Sequence, residues 1–143
     1  MLGLLVVTHG RLAEELVSTA KTIVGPVDAL EAVTIGWNDD VSEARRRIEE
    51  AIQRLGKGEG VLVLTDMFGG TPTNIALSLL DQGKVEVITG VNLPMLIKFT
   101  NLRDELALSE VVGRLAAEGR RAIQVASDLL EGGPKHVPDG ERA

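Results

Sequence analysis

Along the chain, apolar runs of four to seven residues alternate with segments whose apolar positions recur at helical spacing, the pattern of β-α units built around a parallel sheet. The fold class that follows is α/β. Residues 2–7 and 61–64 are almost continuously apolar, as interior parallel strands covered on both faces must be. Leu30-Glu31-Ala32-Val33-Thr34-Ile35 and Val85-Glu86-Val87-Ile88 mix charged or polar residues with apolar ones. That mixture suits strands nearer the sheet edges, so the second and fourth strands are placed outside.

Leu12, Leu16, Ala20 and Ile23 mark one face of a first crossover helix that Gly25-Pro26 ends. Val41, Ala44, Ile48, Ile52 and Leu55 mark a second, with Asp39 or Asp40 as its cap and Gly56 as its stop. A third begins at Thr71-Pro72, a hydroxyl cap followed by proline at the first helical position, and runs through Ile75, Leu79 and Leu80 to Gly83. Asn92 and Pro94 open a short helix, and residues 109–118 form another that stops at Gly119. Arg121-Ala122-Ile123-Gln124-Val125 reads as a last short strand. From Glu131 onward, Gly132, Gly133, Pro134, Pro138 and Gly140 among charges describe a flexible tail. One folded domain over residues 1–127 and a tail over 128–143 result.

Composition narrows what such a domain does. At 143 residues and 44% hydrophobic content there is one core and no room for two domains. The absence of cysteine removes disulfides, a thiolate nucleophile and thiolate metal sites. Fifteen Lys and Arg against 21 Asp and Glu give a net charge of -6, the wrong sign for a nucleic-acid partner. No apolar stretch approaches the roughly 20 residues of a membrane span, which points to a cytoplasmic protein without direct membrane insertion. Aromatic residues are Trp37, Phe68 and Phe99 alone, too few to line a sugar cleft. Neither a phosphate-binding G-x-x-x-x-G-K-[ST] loop, a dinucleotide glycine pattern nor a G-x-S-x-G elbow is present, which argues against nucleotide binding and serine hydrolysis.

In open parallel sheets, ligands bind beyond the carboxyl ends of the strands, where successive connections leave to opposite faces. With a strand order of 2-1-3-4 that point lies between the first strand, ending in Thr8-His9-Gly10, and the third, ending in Thr65-Asp66-Met67-Phe68-Gly69-Gly70-Thr71-Pro72. His9 then faces Asp66. A carboxylate that takes the proton of one imidazole nitrogen leaves the other nitrogen's lone pair free to attack, and it favours the positive charge the ring acquires on modification. Gly69, Gly70 and Thr71 offer backbone N–H groups, a hydroxyl and a helix N-terminus to an anionic phosphoryl group. Taken singly, a histidine after a strand, a capping Asp or a glycine turn is an ordinary structural feature. Their coincidence at one switch point describes transient phosphohistidine formation. His136 reads as a solvated tail residue, and Arg45-Arg46-Arg47 and Arg120-Arg121 as solvent faces. Met67, Phe68, Met95 and Leu96 sit in or beside the loops of the site and are candidate contacts to a protein partner.

At Thr8-His9-Gly10, at Asp66-Met67-Phe68-Gly69-Gly70-Thr71-Pro72-Thr73-Asn74 and at Gly90-Val91-Asn92-Leu93-Pro94-Met95-Leu96, the sequence resembles the mannose-family enzyme IIA of the bacterial phosphoenolpyruvate-dependent sugar phosphotransferase system. The resemblance covers residues 2 to about 127. It implies a carrier that takes a phosphoryl group from the phosphocarrier HPr on His9, with Nε2 the acceptor, and passes it to an enzyme IIB in sugar uptake. Asp66 then matches the carboxylate bonded to Nδ1, and Thr71 the hydroxyl residue that bonds the phosphoryl oxygens. The family fold is a sheet of order 2-1-3-4 with a fifth, antiparallel strand commonly exchanged in a homodimer, a role that falls here to residues 123–125. Phe68 stands where many relatives carry Trp, and the enzyme IIB is expected on a separate chain. The reading needs no cofactor and no metal. Two alternatives remain at this stage: a regulatory phosphoprotein of a phosphotransferase system without a permease, and a hydrolase using His9 and Asp66 as a base pair acting on water.

Overall fold

The computed structural model of the chain describes residues 1–136. Strands β1 (Gly3–His9), β2 (Leu30–Ile35), β3 (Val61–Thr65) and β4 (Val85–Thr89) form one parallel sheet in the order β2-β1-β3-β4. The apolar strands are the interior pair and the mixed ones the edges, as the residue pattern demands. Register places His9 beside Ile35 of β2 and Val7 beside Thr65 of β3, so the carboxyl ends of β1 and β3 come together at one end of the sheet.

Alternation along β1 divides the core in two. Leu2, Leu4 and Val6, with Leu62 and Leu64, pack against α1 (Leu12–Val24), α4 (Leu93–Leu102) and α5 (Leu108–Arg121). Leu5 and Val7, with Val61 and Val63, pack against α2 (Val41–Leu55) and α3 (Gly70–Ser78). Fully burying such a side chain contributes about 1.5–3 kcal/mol, so two apolar layers hold the strand ends in place. Asp40 caps α2 by accepting from the Ser42 N–H at 3.2 Å, and Asn92 caps α4 by accepting from Met95 at 3.3 Å.

Four features differ from the sequence expectations. The helix α3 starts with Gly69 as its N-cap and no side-chain cap, so Thr71 lies inside the first turn instead of capping it. It also ends at Ser78, short of Gly83, because Asp81 bridges Val85 through two backbone hydrogen bonds and turns the chain into β4. Gly119 lies within α5 and does not stop it: a Cβ there would sit 2.7 Å from Met95 Sδ, so the glycine admits α4 against α5. Residues 123–125 form no strand in the chain; among the described residues β3 is the only strand that pairs with β4, and α5 is followed by a 3₁₀ turn, Ala126–Leu129. Ile123 and Val125 project into solvent there because no ladder partner meets them. The first part of the expected tail folds back, with His136 exposed and its Nδ1 2.6 Å from Asp128 Oδ1. The rest, residues 137–143, lies outside the described residues.

At the opposite end of the sheet from His9, Arg103 is 3% exposed. Its guanidinium donates to the carbonyls of Leu2, Asp28 and Ala29, tying α4 to the chain just before β1 and β2. No helix is long and apolar enough to cross a membrane among the described residues.

Candidate active site at the carboxyl ends of β1 and β3

Thr8 and Thr65, each fully buried at its strand end, set the two loops. The Thr8 hydroxyl accepts the Ala13 N–H at 2.7 Å, fastening the turn that carries His9 to the start of α1. The Thr73 hydroxyl donates to the Met67 carbonyl and meets the Thr65 hydroxyl at 3.1 Å, fastening residues 66–73 to the end of β3. Between these anchors His9 and Asp66 face each other. Asp66 Oδ2 accepts the backbone N–H of His9 at 3.0 Å and lies 2.8 Å from its Nδ1, while Oδ1 accepts the Met67 N–H at 3.0 Å. The carboxylate side chain is 15% exposed and the imidazole 27%.

Burial alone pushes the Asp66 carboxyl up, yet the bonds from the His9 ring, the His9 N–H and the Met67 N–H outweigh it and hold the group below the ordinary carboxylate range. Asp66 is therefore an anion at neutral pH and accepts a hydrogen bond from a proton held on Nδ1. That fixes the neutral ring in the tautomer whose Nε2 carries the lone pair.

Nε2 points toward Gly70. A Cβ at that position would lie 3.1 Å from Nε2 and 3.0 Å from Cε1, and Gly70 has φ +82°, in the left-handed region. Glycine is what lets the first turn of α3 approach the ring. Gly69 and Gly70 precede Thr71, which is half-buried, and no side chain caps the helix end. Its first N–H groups and positive dipole end are thus left for an anion arriving at Nε2. His9, Asp66 and Gly70 are brought together, with Gly69 and Thr71 on either side of Gly70 in the chain.

The apolar residues named for partner contact divide. Met67 and Phe68 are 56% and 75% exposed beside Asp66. Met95 and Leu96, by contrast, are buried in the core under α5 and present no surface to a partner, which corrects the expectation for both. The loop that carries them serves packing: Asn92 caps α4 and donates from Nδ2 to the Gly119 carbonyl at 3.0 Å. Sequence reasoning missed Trp37, whose ring centroid stands 5.8 Å from that of His9 at an interplanar angle of 30°. The available signal was the Gly36-to-Asp39 turn directly after the edge strand beside β1.

Clefts of about 570 Å³ lined by Val17, Lys21 and Ala32, and of about 530 Å³ lined by Gly58, Val61 and Lys84, contain none of these residues. No three His, Asp or Glu side chains are gathered to hold a metal ion among the described residues.

The family model described as the phosphotransferase system fructose IIA component, EIIA-man, matches residues 3–116. The chain belongs to that family. It is 30% identical over 132 residues to the fructose-specific EIIA component of Bacillus subtilis, covering 92% of this chain and 90% of that one. It is 35% identical over 130 residues to the mannose-specific EIIAB component of Escherichia coli K12, over 86% of this chain and 39% of the longer protein. Among solved structures, the IIA protein associated with the fucose utilization operon of Streptococcus pneumoniae superposes with a TM-score of 0.78 at 28% identity, covering 90% and 96% of the two chains. The EIIA of Streptococcus agalactiae shares the fold with a TM-score of 0.81 at 23% identity, over 89% and 98%. Membership places the chain among phosphotransfer components of sugar systems.

Proposed function

We propose that the protein is a phosphoryl carrier that accepts its group from phospho-HPr on His9 Nε2 and delivers it to an enzyme IIB. The observation that carries this reading is the double engagement of His9 by one carboxylate oxygen of Asp66, which leaves Nε2 as the free nitrogen facing the uncapped start of α3. The Nε2 lone pair attacks phosphorus in line, and the bond from phosphorus to the donor breaks with its electron pair returning to the donor. The Nδ1 proton stays in the bond to Asp66 while the ring gains positive charge, which the anionic carboxylate balances. The N–H groups of Gly70 and Thr71 and the Thr71 hydroxyl hold the phosphoryl oxygens. Delivery reverses these steps toward the enzyme IIB.

The position of the site favours protein substrates. The imidazole lies at the molecular surface beside the exposed Met67 and Phe68, which serve as apolar contacts for a docking partner. Relatives carry the names of fructose, mannose and sorbose systems, a spread that suits a relay whose chemistry at histidine is independent of the sugar.

Assembly belongs to the same proposal. Ile123, Val125, Leu129 and Leu130 are exposed apolar residues beyond α5, and β4 keeps an open edge. Exchange of residues 123–125 between two copies would cover both. The experiment that tests the carrier role is labelling from phosphoenolpyruvate through the general phosphotransfer proteins, with His9→Ala as the control variant.

A further inference from the structure

We propose that Trp37 is a positioning residue that covers the phosphorylated imidazole of His9, lengthening the life of the phosphoramidate bond and favouring the charged state of the carrier. The inference rests on the phosphoryl-carrier reading and adds to it a residue outside the three loop motifs.

Trp37 is the only tryptophan of the chain and is 88% exposed. A large apolar ring held in water in a protein with three aromatic residues is an unfavourable placement unless something uses it. Its setting is built. The Gly36 N–H donates to Asp39 Oδ2 at 2.8 Å and the Asp39 N–H donates to the Gly36 carbonyl at 3.2 Å, closing a tight turn with Trp37 and Asn38 at its corner. Arg47 ties that turn to the sheet by donating to Asp39 Oδ2 at 2.8 Å and to the Thr34 carbonyl at 3.0 Å. Register sets Ile35 beside His9, so the turn after β2 delivers the indole to the imidazole as a tilted ring pair with centroids 5.8 Å apart.

Phosphorylation makes that contact electrostatic. With Nδ1 still protonated on Asp66, substitution at Nε2 leaves the ring cationic, and an indole face within about 6 Å attracts a cation. Water attack on phosphorus breaks the P–N bond, returns its electron pair to Nε2 and neutralises the ring, so this attraction is lost as phosphate departs. The same holds when the group leaves to a protein acceptor. A contact of this kind at an exposed site is worth roughly a two- to fivefold factor in rate or equilibrium.

The test uses the full chain and phosphoramidate, a small phosphoryl donor that needs no protein partner. Wild type, Trp37→Ala, Trp37→Leu and Trp37→Phe are labelled on His9, freed of donor, and followed by release of inorganic phosphate, with circular dichroism as the check on folding. The expected result is a half-life about two to five times shorter in the Ala and Leu variants, restored mostly by Phe, together with a change in the single-tryptophan fluorescence on labelling of the wild type. Leu fills space without a π face, so rescue by Leu equal to that by Phe would overturn the electrostatic role. Equal half-lives in wild type and Trp37→Ala would overturn the proposal while leaving the carrier reading intact. Labelling by phosphoramidate but not by phospho-HPr would contradict the partner and not Trp37, whereas failure of folded wild type to label at all would remove both.

Discussion

One oxygen of Asp66, Oδ2, holds His9 by two atoms, the backbone N–H at 3.0 Å and the ring Nδ1 at 2.8 Å. The carboxylate thereby fixes where β1 ends, which tautomer the ring adopts and which nitrogen is free. Backbone and side chain of the acceptor are positioned by a single group whose own strand, β3, is the neighbour of β1 across the switch point.

Replacing Asp66 with Asn keeps the shape and removes the charge that orients the ring and balances the imidazolium. Single-turnover phosphoryl transfer from HPr should fall by about 10²-fold to 10⁴-fold, by analogy with triad carboxylates. A rate within about twofold of wild type would show that no large electrostatic contribution exists. The same substitution has a pH signature. The bonds from His9 and Met67 hold the folded Asp66 carboxyl below its ordinary value, so its contribution to stability is complete above the unfolded value and is lost as pH falls through the lower folded one. In urea unfolding, the stability difference between wild type and Asp66→Asn should shrink from pH 5 to pH 3; an unchanged difference would contradict the shift.

Gly70→Ala tests the close approach of α3 to the ring. The new Cβ would stand about 3 Å from the imidazole at Nε2 and Cε1, in a backbone conformation that costs a non-glycine residue about 1–2 kcal/mol. Labelling of His9 should drop by more than about tenfold while the fold survives with a lowered melting temperature. Full labelling in a stably folded variant would place the phosphoryl site elsewhere.

The sheet and the His9–Asp66 pair are legible in the amino-acid sequence. Strand identity and the inside-outside order follow from how completely each run is apolar, and the pairing of His9 with Asp66 follows from the residues at two strand ends. Where the reading failed, a contact between distant segments decided the matter. Leu79 and Leu80 keep helical spacing, yet the Asp81–Val85 bridge ends α3 first. Gly119 looks like a stop, but Met95 fills the space above it and α5 continues. Met95 and Leu96 adjoin a loop of the site in sequence and turn inward in space because α4 lies beneath α5. Ile123 and Val125 alternate like a strand, and alternation cannot say whether a ladder partner exists on the same chain. Trp37 escaped because its partner, His9, sits on a different strand and only the register of β1 against β2 joins them.

Arg103→Met should destabilise the fold by about 2–4 kcal/mol, since carbonyls of Leu2, Asp28 and Ala29 would lose a charged donor in a buried site. The loss would appear as a lower denaturation midpoint in urea. Transfer by the folded fraction should be unchanged, because Arg103 holds the end of the sheet opposite to His9. A loss within about 0.5 kcal/mol would mean that water replaces the guanidinium without penalty.

Two truncations separate assembly from chemistry. Ending the chain after Arg121 removes residues 122–143 and with them the segment proposed to exchange, so a dimer should give way to monomer or aggregate. Ending it after Leu130 removes only the tail and should be silent in sedimentation and in melting temperature. A full-length chain that sediments as a monomer at micromolar concentration would defeat the exchanged dimer, and would leave the site intact because His9, Asp66 and Thr71 come from one subunit.

The central claim is that His9 is the phosphoryl acceptor, and the most direct measurement is stoichiometric labelling of purified protein by phosphoenolpyruvate in the presence of the two general phosphotransfer proteins. Wild type should take up one acid-labile, base-stable phosphate per chain, mapped to Nε2 of His9, and His9→Ala should take up none while keeping its circular dichroism. Persistent stoichiometric labelling of the Ala variant, or an acid-stable phosphate on Thr71, would contradict the account.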